Sequence, residues 1–167
     1  MKYIYLLLVL FCLQTFVNSQ DYNQAIGYRQ GYATGFSYKI YVDDETALEA
    51  FAGFKNRGMH FSIFKLKHKP ANWRKNDKLF LYTGFGGHTG FYGRYDSYHF
   101  YSPVDHSIRS GRSFVVIGLD GVVGAEYRFI KYPFSVSLDY NPFFDLFGPN
   151  YFNLNLSNFC LEVKYNF

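Results

Sequence analysis

The chain has 167 residues, a formal net charge of +4 and an aromatic content of 23%, most of it Tyr and Phe. That length is one domain's worth of chain, and the scattered positive charge excludes a nucleic-acid binder, which needs a clustered basic face. So many aromatics exceed the needs of a soluble core and favour strands and membrane interfaces.

In chain order, Lys2 precedes a nearly unbroken apolar run from Tyr3 to Val17. At about 15 residues it is short for a bilayer span but suits the apolar core of a signal peptide. Val17-Asn18-Ser19 offers a cleavage site, so the expected division is a signal peptide over 1–19 and one exported domain over 20–167. Cys12 follows Phe11 rather than a small residue, so lipid attachment is not expected. Only Cys160 then remains, and no internal disulfide can form. A small exported domain without one must be held together in another way. Later apolar runs are all broken by Gly or charge, and none reads as a transmembrane helix.

Period-two alternation recurs, and helical periodicity is scarce. Strands are expected over 24–31, 35–42, 46–55, 59–69, 79–92, 113–129, 133–141 and 153–167. Ile26 and Tyr28 oppose Gly27 and Arg29. Phe36, Tyr38, Ile40 and Val42 oppose Ser37, Lys39 and Tyr41. Leu48, Ala50, Ala52 and Phe54 oppose Glu49 and Gly53. From Phe114 to Phe129, Val115, Ile117, Leu119, Val123, Ala125, Tyr127 and Phe129 oppose Gly118, Asp120, Gly124, Glu126 and Arg128. Then Phe134, Val136, Leu138 and Tyr140 oppose Ser135, Ser137, Asp139 and Asn141. At the end, Phe159, Leu161, Val163, Tyr165 and Phe167 oppose Cys160, Glu162, Lys164 and Asn166. The phase breaks once after Leu154 and Leu156, which predicts a bulge near Ser157-Asn158.

In a soluble sandwich the apolar face of such strands would point inward. Here that face is bulky and aromatic, whereas the other is rich in Gly, Ser and charges of both signs. A narrow interior needs small residues, so the pattern reads as inside-out. It predicts an all-β, closed antiparallel up-and-down transmembrane barrel of about eight strands. Its lumen would hold Arg29, Lys39, Glu49, Asp120, Glu126, Arg128, Asp139, Glu162 and Lys164, with His88 a further candidate. Buried charges persist only when paired, and an eight-stranded barrel is just wide enough for side chains to fill. A plugged, non-conducting lumen is therefore expected. With an even strand count, the connections Gly93–Arg112 and Pro142–Asn150 become long outer loops, and Asp43-Asp44-Glu45 and Lys131-Tyr132 become short inner turns.

The ending Phe159-x-Leu161-x-Val163-x-Tyr165-x-Phe167 resembles the C-terminal signal of bacterial outer-membrane β-barrel proteins, and the whole mature pattern is similar to the small OmpA/OmpX-like barrels. The resemblance implies an outer-membrane location and contact with outer-membrane lipid. It also implies recognition of the last strand by the barrel-assembly machinery, and a structural or cell-surface interaction role without catalysis. A monomer is expected.

Other motifs have plainer readings. Gly84 to Gly93 lacks the Lys-Ser/Thr of a phosphate loop, and no helix follows it; glycines lining a narrow lumen explain it better. The 94–112 segment contains Asp96, Ser97, His99, Ser102, Asp105 and His106, and Ser, His and Asp are the components of a nucleophilic triad. That leaves an outer-membrane lipid-modifying enzyme as one alternative and a secreted soluble barrel carrier as another. The same segment offers Tyr95, Tyr98, Phe100 and Tyr101 for surface contacts or an aromatic belt. The five histidines have no ligand-like spacing, so no metal and no cofactor are expected. The basic run Lys65 to Pro70 reads as a solvated strand end or a meeting point for anionic headgroups.

Overall fold

Alternating apolar and polar residues become ten strand segments in the computed structural model, which describes residues 22–55, 57–71, 78–92, 114–129, 131–148 and 152–167. They are β1 (Gln24–Gln30), β2 (Thr34–Tyr41), β3 (Thr46–Lys55), β4 (Gly58–Pro70), β5 (Leu79–Tyr92), β6 (Phe114–Arg128), β7 (Phe134–Tyr140), β8 (Phe143–Phe147), β9 (Asn153–Asn155) and β10 (Phe159–Asn166). Each of β1 to β6 pairs antiparallel with its successor, β7 pairs with β10, and β10 returns to β1. The result is a closed antiparallel barrel of eight strands. Its seam is made between Gln24 and Phe167, whose backbone amides each donate to the other's carbonyl, at 3.1 and 2.9 Å. Closure leaves neither β1 nor β10 as a free edge.

Two of the eight strands are interrupted. The inner half of β6 pairs with β7, and its outer half, Ile117 to Asp120, pairs with β8. β8 in turn pairs with β9, so β7–β8 and β9–β10 each act as one broken strand. Pro142 has no N–H to donate at the first break. Asparagines repair the ladder there: Asn141 Nδ2 donates to the Gly121 carbonyl at 2.9 Å, and Asn158 Nδ2 to the Asn141 carbonyl at 3.0 Å. The second break, at Leu156–Asn158, shifts the phase so that Leu154, Leu156 and Phe159 all lie on the outer face. Two sequence expectations are corrected here. Pro142–Asn150 is not wholly a connection, because Phe143 to Phe147 form β8. The segment 153–167 is not one strand. The apolar residues of Phe143-Phe144-Asp145-Leu146-Phe147 look loop-like only until β6 supplies their partner.

Short connections use turn chemistry. Thr46 N and Glu45 N donate to Asp43 Oδ1 at 2.7 and 3.1 Å, closing the β2–β3 turn. Hydrogen bonds from Thr46 and Glu45 hold the Asp43 carboxyl below the usual carboxylate range. Between β3 and β4, Arg57 takes a positive φ of 58°.

Side-chain orientation is inside-out around most of the wall. Phe36, Ile63, Phe85, Leu119, Leu138 and Leu161 are exposed on the outer face, with Phe85 at 69%. Lys39, Glu126 and Glu162 have no exposed surface at all. The interior is not wholly polar, however. Ala47, Phe64, Leu66, Tyr82 and Val122 form an inward-facing apolar cluster. It fits because β5 presents glycines opposite it. A Cβ on Gly86 would lie 2.7 Å from Phe64 Cδ1, and one on Gly84 would lie 2.8 Å from Leu66 Cδ2. Gly86→Val is expected to overpack this point and cost about 1–3 kcal/mol, read as a lower urea midpoint for barrel unfolding.

Candidate functional site

Alternation on eight strands delivers polar side chains to one enclosed column. Arg29, Lys39, Glu49, Asp120, Glu126, Asp139, Glu162 and Lys164 are all buried in the lumen, and Arg128 lies half-buried at the end that carries Gln24 and Phe167. All nine residues named from the sequence therefore face inward. Glu162–Lys164 and Glu126–Arg128 are two residues apart on one strand; what the sequence does not reveal is the rest of the pairing, whose partners come from different strands.

The middle of the column is one connected ionic network. Lys39 Nζ lies 2.9 Å from Glu126 Oε2 and 3.3 Å from Glu49 Oε2. Lys164 Nζ lies 2.8 Å from Glu162 Oε2, with Glu126 and Glu49 at 3.6 and 3.7 Å. Arg29 reaches Glu49 at 3.3 Å and Asp139 at 3.1 Å, and its guanidinium stacks 5.3 Å from the Phe64 ring centroid. Hydroxyls occupy remaining acceptor positions: Ser37 donates to Glu162, and Tyr82 to Asp139. Lys164 donates to Ser137 Oγ at 3.0 Å. A buried ionic group holds its charge only with this density of partners.

Toward the strand ends at Gln24 and Phe167, Arg128 Nε donates to Glu126 Oε1 at 2.9 Å, and its NH2 donates to Tyr41 OH at 2.6 Å. Its guanidinium also covers the Phe80 ring, 3.9 Å from the centroid. Tyr22 OH donates to Glu126 at 2.5 Å. This aromatic layer caps the network with both a π-face and hydrogen bonds.

At the opposite end the groups change from lysine and glutamate to histidine and aspartate. His88 Nδ1 lies 3.0 Å from Asp120 Oδ1, and Nε2 lies 3.0 Å from Asp145 Oδ1. Each ring nitrogen faces one carboxylate oxygen, an arrangement that suits an imidazolium with its two N–H donors. The His60 ring stacks on His88, with centroids 5.2 Å apart, and its nitrogens contact Tyr92 OH and Ser62 Oγ, each at 2.8 Å. Asn153 Nδ2 donates to Asp145 Oδ2 at 3.0 Å. Through Asp145 this cluster ties β8 to β5, where the backbone ladder alone ties β8 only to β6 and β9. His88→Ala leaves two buried carboxylates facing a gap, each unsatisfied group costing about 1–3 kcal/mol. Hydrogen exchange is expected to accelerate at the amides of Phe143 to Phe147 and to stay unchanged in β1 and β2.

Sequence reading missed several members of the column. His60, His68 and Ser62 share the even positions of β4, so parity alone marks them as one face. The conspicuous lysines between them drew the reading toward a solvated strand end. Asp145 was concealed by its assignment to a connection. Tyr22, Tyr82 and Tyr92 were hidden because an inward tyrosine has the same composition as an outward one. The segment holding Tyr95, Tyr98, Phe100 and Tyr101, and with it Ser97, His99 and Asp105, lies outside the described residues, as does the expected signal peptide over 1–19. Of the last strand, Phe159, Leu161, Val163 and Phe167 are exposed outward and Tyr165 is half-exposed on the same face. Among the described residues no group of three or more His, Cys, Asp or Glu side chains is arranged to hold a metal, and the free Cys160 is buried.

A cavity of about 20 Å³ lies between Arg29, His60, Ser62, Asp120 and Cys160, enough for about one water molecule. Asp120 Oδ2, which borders it, has neither a hydrogen-bond nor an ion-pair partner among the described residues.

By architecture, then, this is a closed eight-stranded barrel with a ring-rich exterior and an ion-paired centre. Among solved structures it is similar to the crystal structure of the N-terminal β-barrel domain of Pseudomonas aeruginosa OprF, with a TM-score of 0.59 and 15% identity, across 89% of this chain and 100% of that one. At that identity the likeness is one of fold. No protein-family model matches the sequence, and no curated protein does.

Proposed function

We propose that the protein is an integral outer-membrane β-barrel with a structural or cell-surface interaction role, a plugged lumen and no catalytic activity. One observation carries this reading: a closed barrel whose outer face is mostly large apolar side chains, while the lumen encloses a paired set of charges. Such a face suits hydrocarbon, and closure leaves neither β1 nor β10 with a free edge where water is absent. The fold shared with the OprF barrel domain supports the location. The connected ion-pair network across the middle of the lumen supports a plug rather than a pore. The outward apolar face of β10, at the closing seam, makes that strand the proposed contact for the barrel-assembly machinery.

Fractionation tests the proposal. The folded protein should remain in the membrane pellet after a carbonate wash and shift in gel mobility only on boiling. Recovery in the aqueous fraction without detergent would overturn it. In planar bilayers the purified protein should give no steady conductance; stable open channels would overturn the plug alone.

A further inference from the structure

On β4 the inside-out rule reverses. Phe64, Leu66 and His68 are buried in the lumen, while Lys65, Lys67 and Lys69 project from the outer face. The reversal is not forced by register. Just before it, Phe61 and Ile63 face outward on the same strand, at 41% and 67% exposure, so the lysines continue an apolar row. Lys65 and Lys69 have apolar cross-strand neighbours as well. Lys65 sits between Leu48 of β3 and Phe85 of β5, and Lys69 beside Leu81. Lys67 pairs with Thr46, the first residue of β3, which puts this ridge near the strand ends at Gln24 and Phe167. Lys67 has one acidic neighbour, Glu45, at 3.5 Å. Neither Lys65 nor Lys69 has an ion-pair partner among the described residues.

A cation on a hydrocarbon-facing wall is unfavourable, and less so near the interface. Three in a row, with two unpaired, present concentrated positive charge to an anion at that depth. Next to the ridge and further from the strand ends, Ala50 and Ala52 of β3 lie low between Phe36 and Tyr38 on one side and Phe61 and Ile63 on the other. This leaves a trough that an acyl chain can follow. Resting on the membrane reading above, we propose that Lys65, Lys67 and Lys69 form a binding site for an anionic phospholipid of the leaflet that meets the Gln24–Phe167 end. Its phosphate lies on the lysine ridge and one acyl chain lies over Ala50 and Ala52. Three ammonium groups along a strand recognise a phosphodiester by charge, and the trough selects a lipid over a free anion.

The test uses the full folded protein in vesicles containing equal parts phosphatidylcholine and phosphatidylglycerol, extracted in mild detergent, with the retained lipid counted by mass spectrometry. Phosphatidylglycerol should be enriched. Neutralising the ridge as Lys65→Gln, Lys67→Gln and Lys69→Gln should reduce that enrichment by about five-fold for each lysine removed. The matching Lys→Arg variant should retain it, and Lys131→Gln at the same end should leave it unchanged. Should the triple glutamine variant fail to fold, Lys65→Gln alone carries the comparison. Equal retention of both lipids, an equal loss in Lys131→Gln, or displacement by inorganic phosphate at fixed ionic strength would each overturn the site. Failure to insert into any vesicle would instead overturn the membrane reading.

Discussion

Glu126→Ala is expected to be among the most destabilising single substitutions in the barrel, costing about 3–5 kcal/mol. Glu126 is wholly buried. It accepts from Lys39 and Arg128 at 2.9 Å and from Tyr22 at 2.5 Å, with Lys164 at 3.6 Å. Its removal leaves one positive charge uncompensated in the buried network, because Arg29, Lys39, Arg128 and Lys164 then face only Glu49, Asp139 and Glu162. Relaxation cannot expel either lysine, since both side chains are enclosed by the wall. The measurement is the urea midpoint of the folded gel band. Glu126→Gln, which keeps the volume and some hydrogen bonds but not the charge, should fall between alanine and wild type. A wild-type midpoint for Glu126→Ala would show that the column contributes nothing to stability. Adding Lys39→Met to Glu126→Ala should recover part of the loss, because a buried pair replaced by apolar groups is far less costly than a buried charge left alone.

Ile63→Arg separates a membrane barrel from a soluble one. Ile63 lies near the middle of β4, is 67% exposed and packs beside Ala50 and Gly87 across the ladder. On a soluble protein so exposed a position tolerates arginine within about 0.5 kcal/mol. On a wall that faces hydrocarbon near mid-depth the same change costs about 2–4 kcal/mol. Equilibrium unfolding from vesicles should show the larger loss. The paired variant Leu81→Arg, close to the strand ends, should show about 0–1 kcal/mol. Equal and negligible effects at both positions would contradict the membrane reading. The contrast between the two depths is the informative quantity, because it cancels any general effect of added charge.

Much of the barrel is readable from residue spacing. A strand exposes alternate residues to opposite faces, so a row such as Phe134, Val136, Leu138 and Tyr140 against Ser135, Ser137 and Asp139 states its two environments without any knowledge of neighbours. That is why the nine charged residues could be assigned to one interior. The errors fall where local pattern and tertiary partner disagree. Phe143 to Phe147 follow a proline and contain three phenylalanines, so they read as a connection. The outer half of β6, extended beyond β7, makes them a strand. In β4 the alternation was visible, but which of its faces is inward was not. Phe64 and Leu66 against Lys65 and Lys67 fit a soluble strand as well as this one. Only the glycines at 84 and 86 of the adjacent β5 make room inside for the larger apolar pair.

The amino-acid sequence by itself determined the all-β class, the two faces of most strands and nine of the charged residues that share one face, because each follows from period-two alternation and side-chain size, which are local properties. Most of the pairing inside the lumen was decided by tertiary structure. Lys39 meets Glu126, Arg29 meets Asp139, and His88 meets Asp145 because the stagger of eight tilted strands brings those heights together. Strand tilt and stagger are properties of the closed sheet, and no single strand carries them.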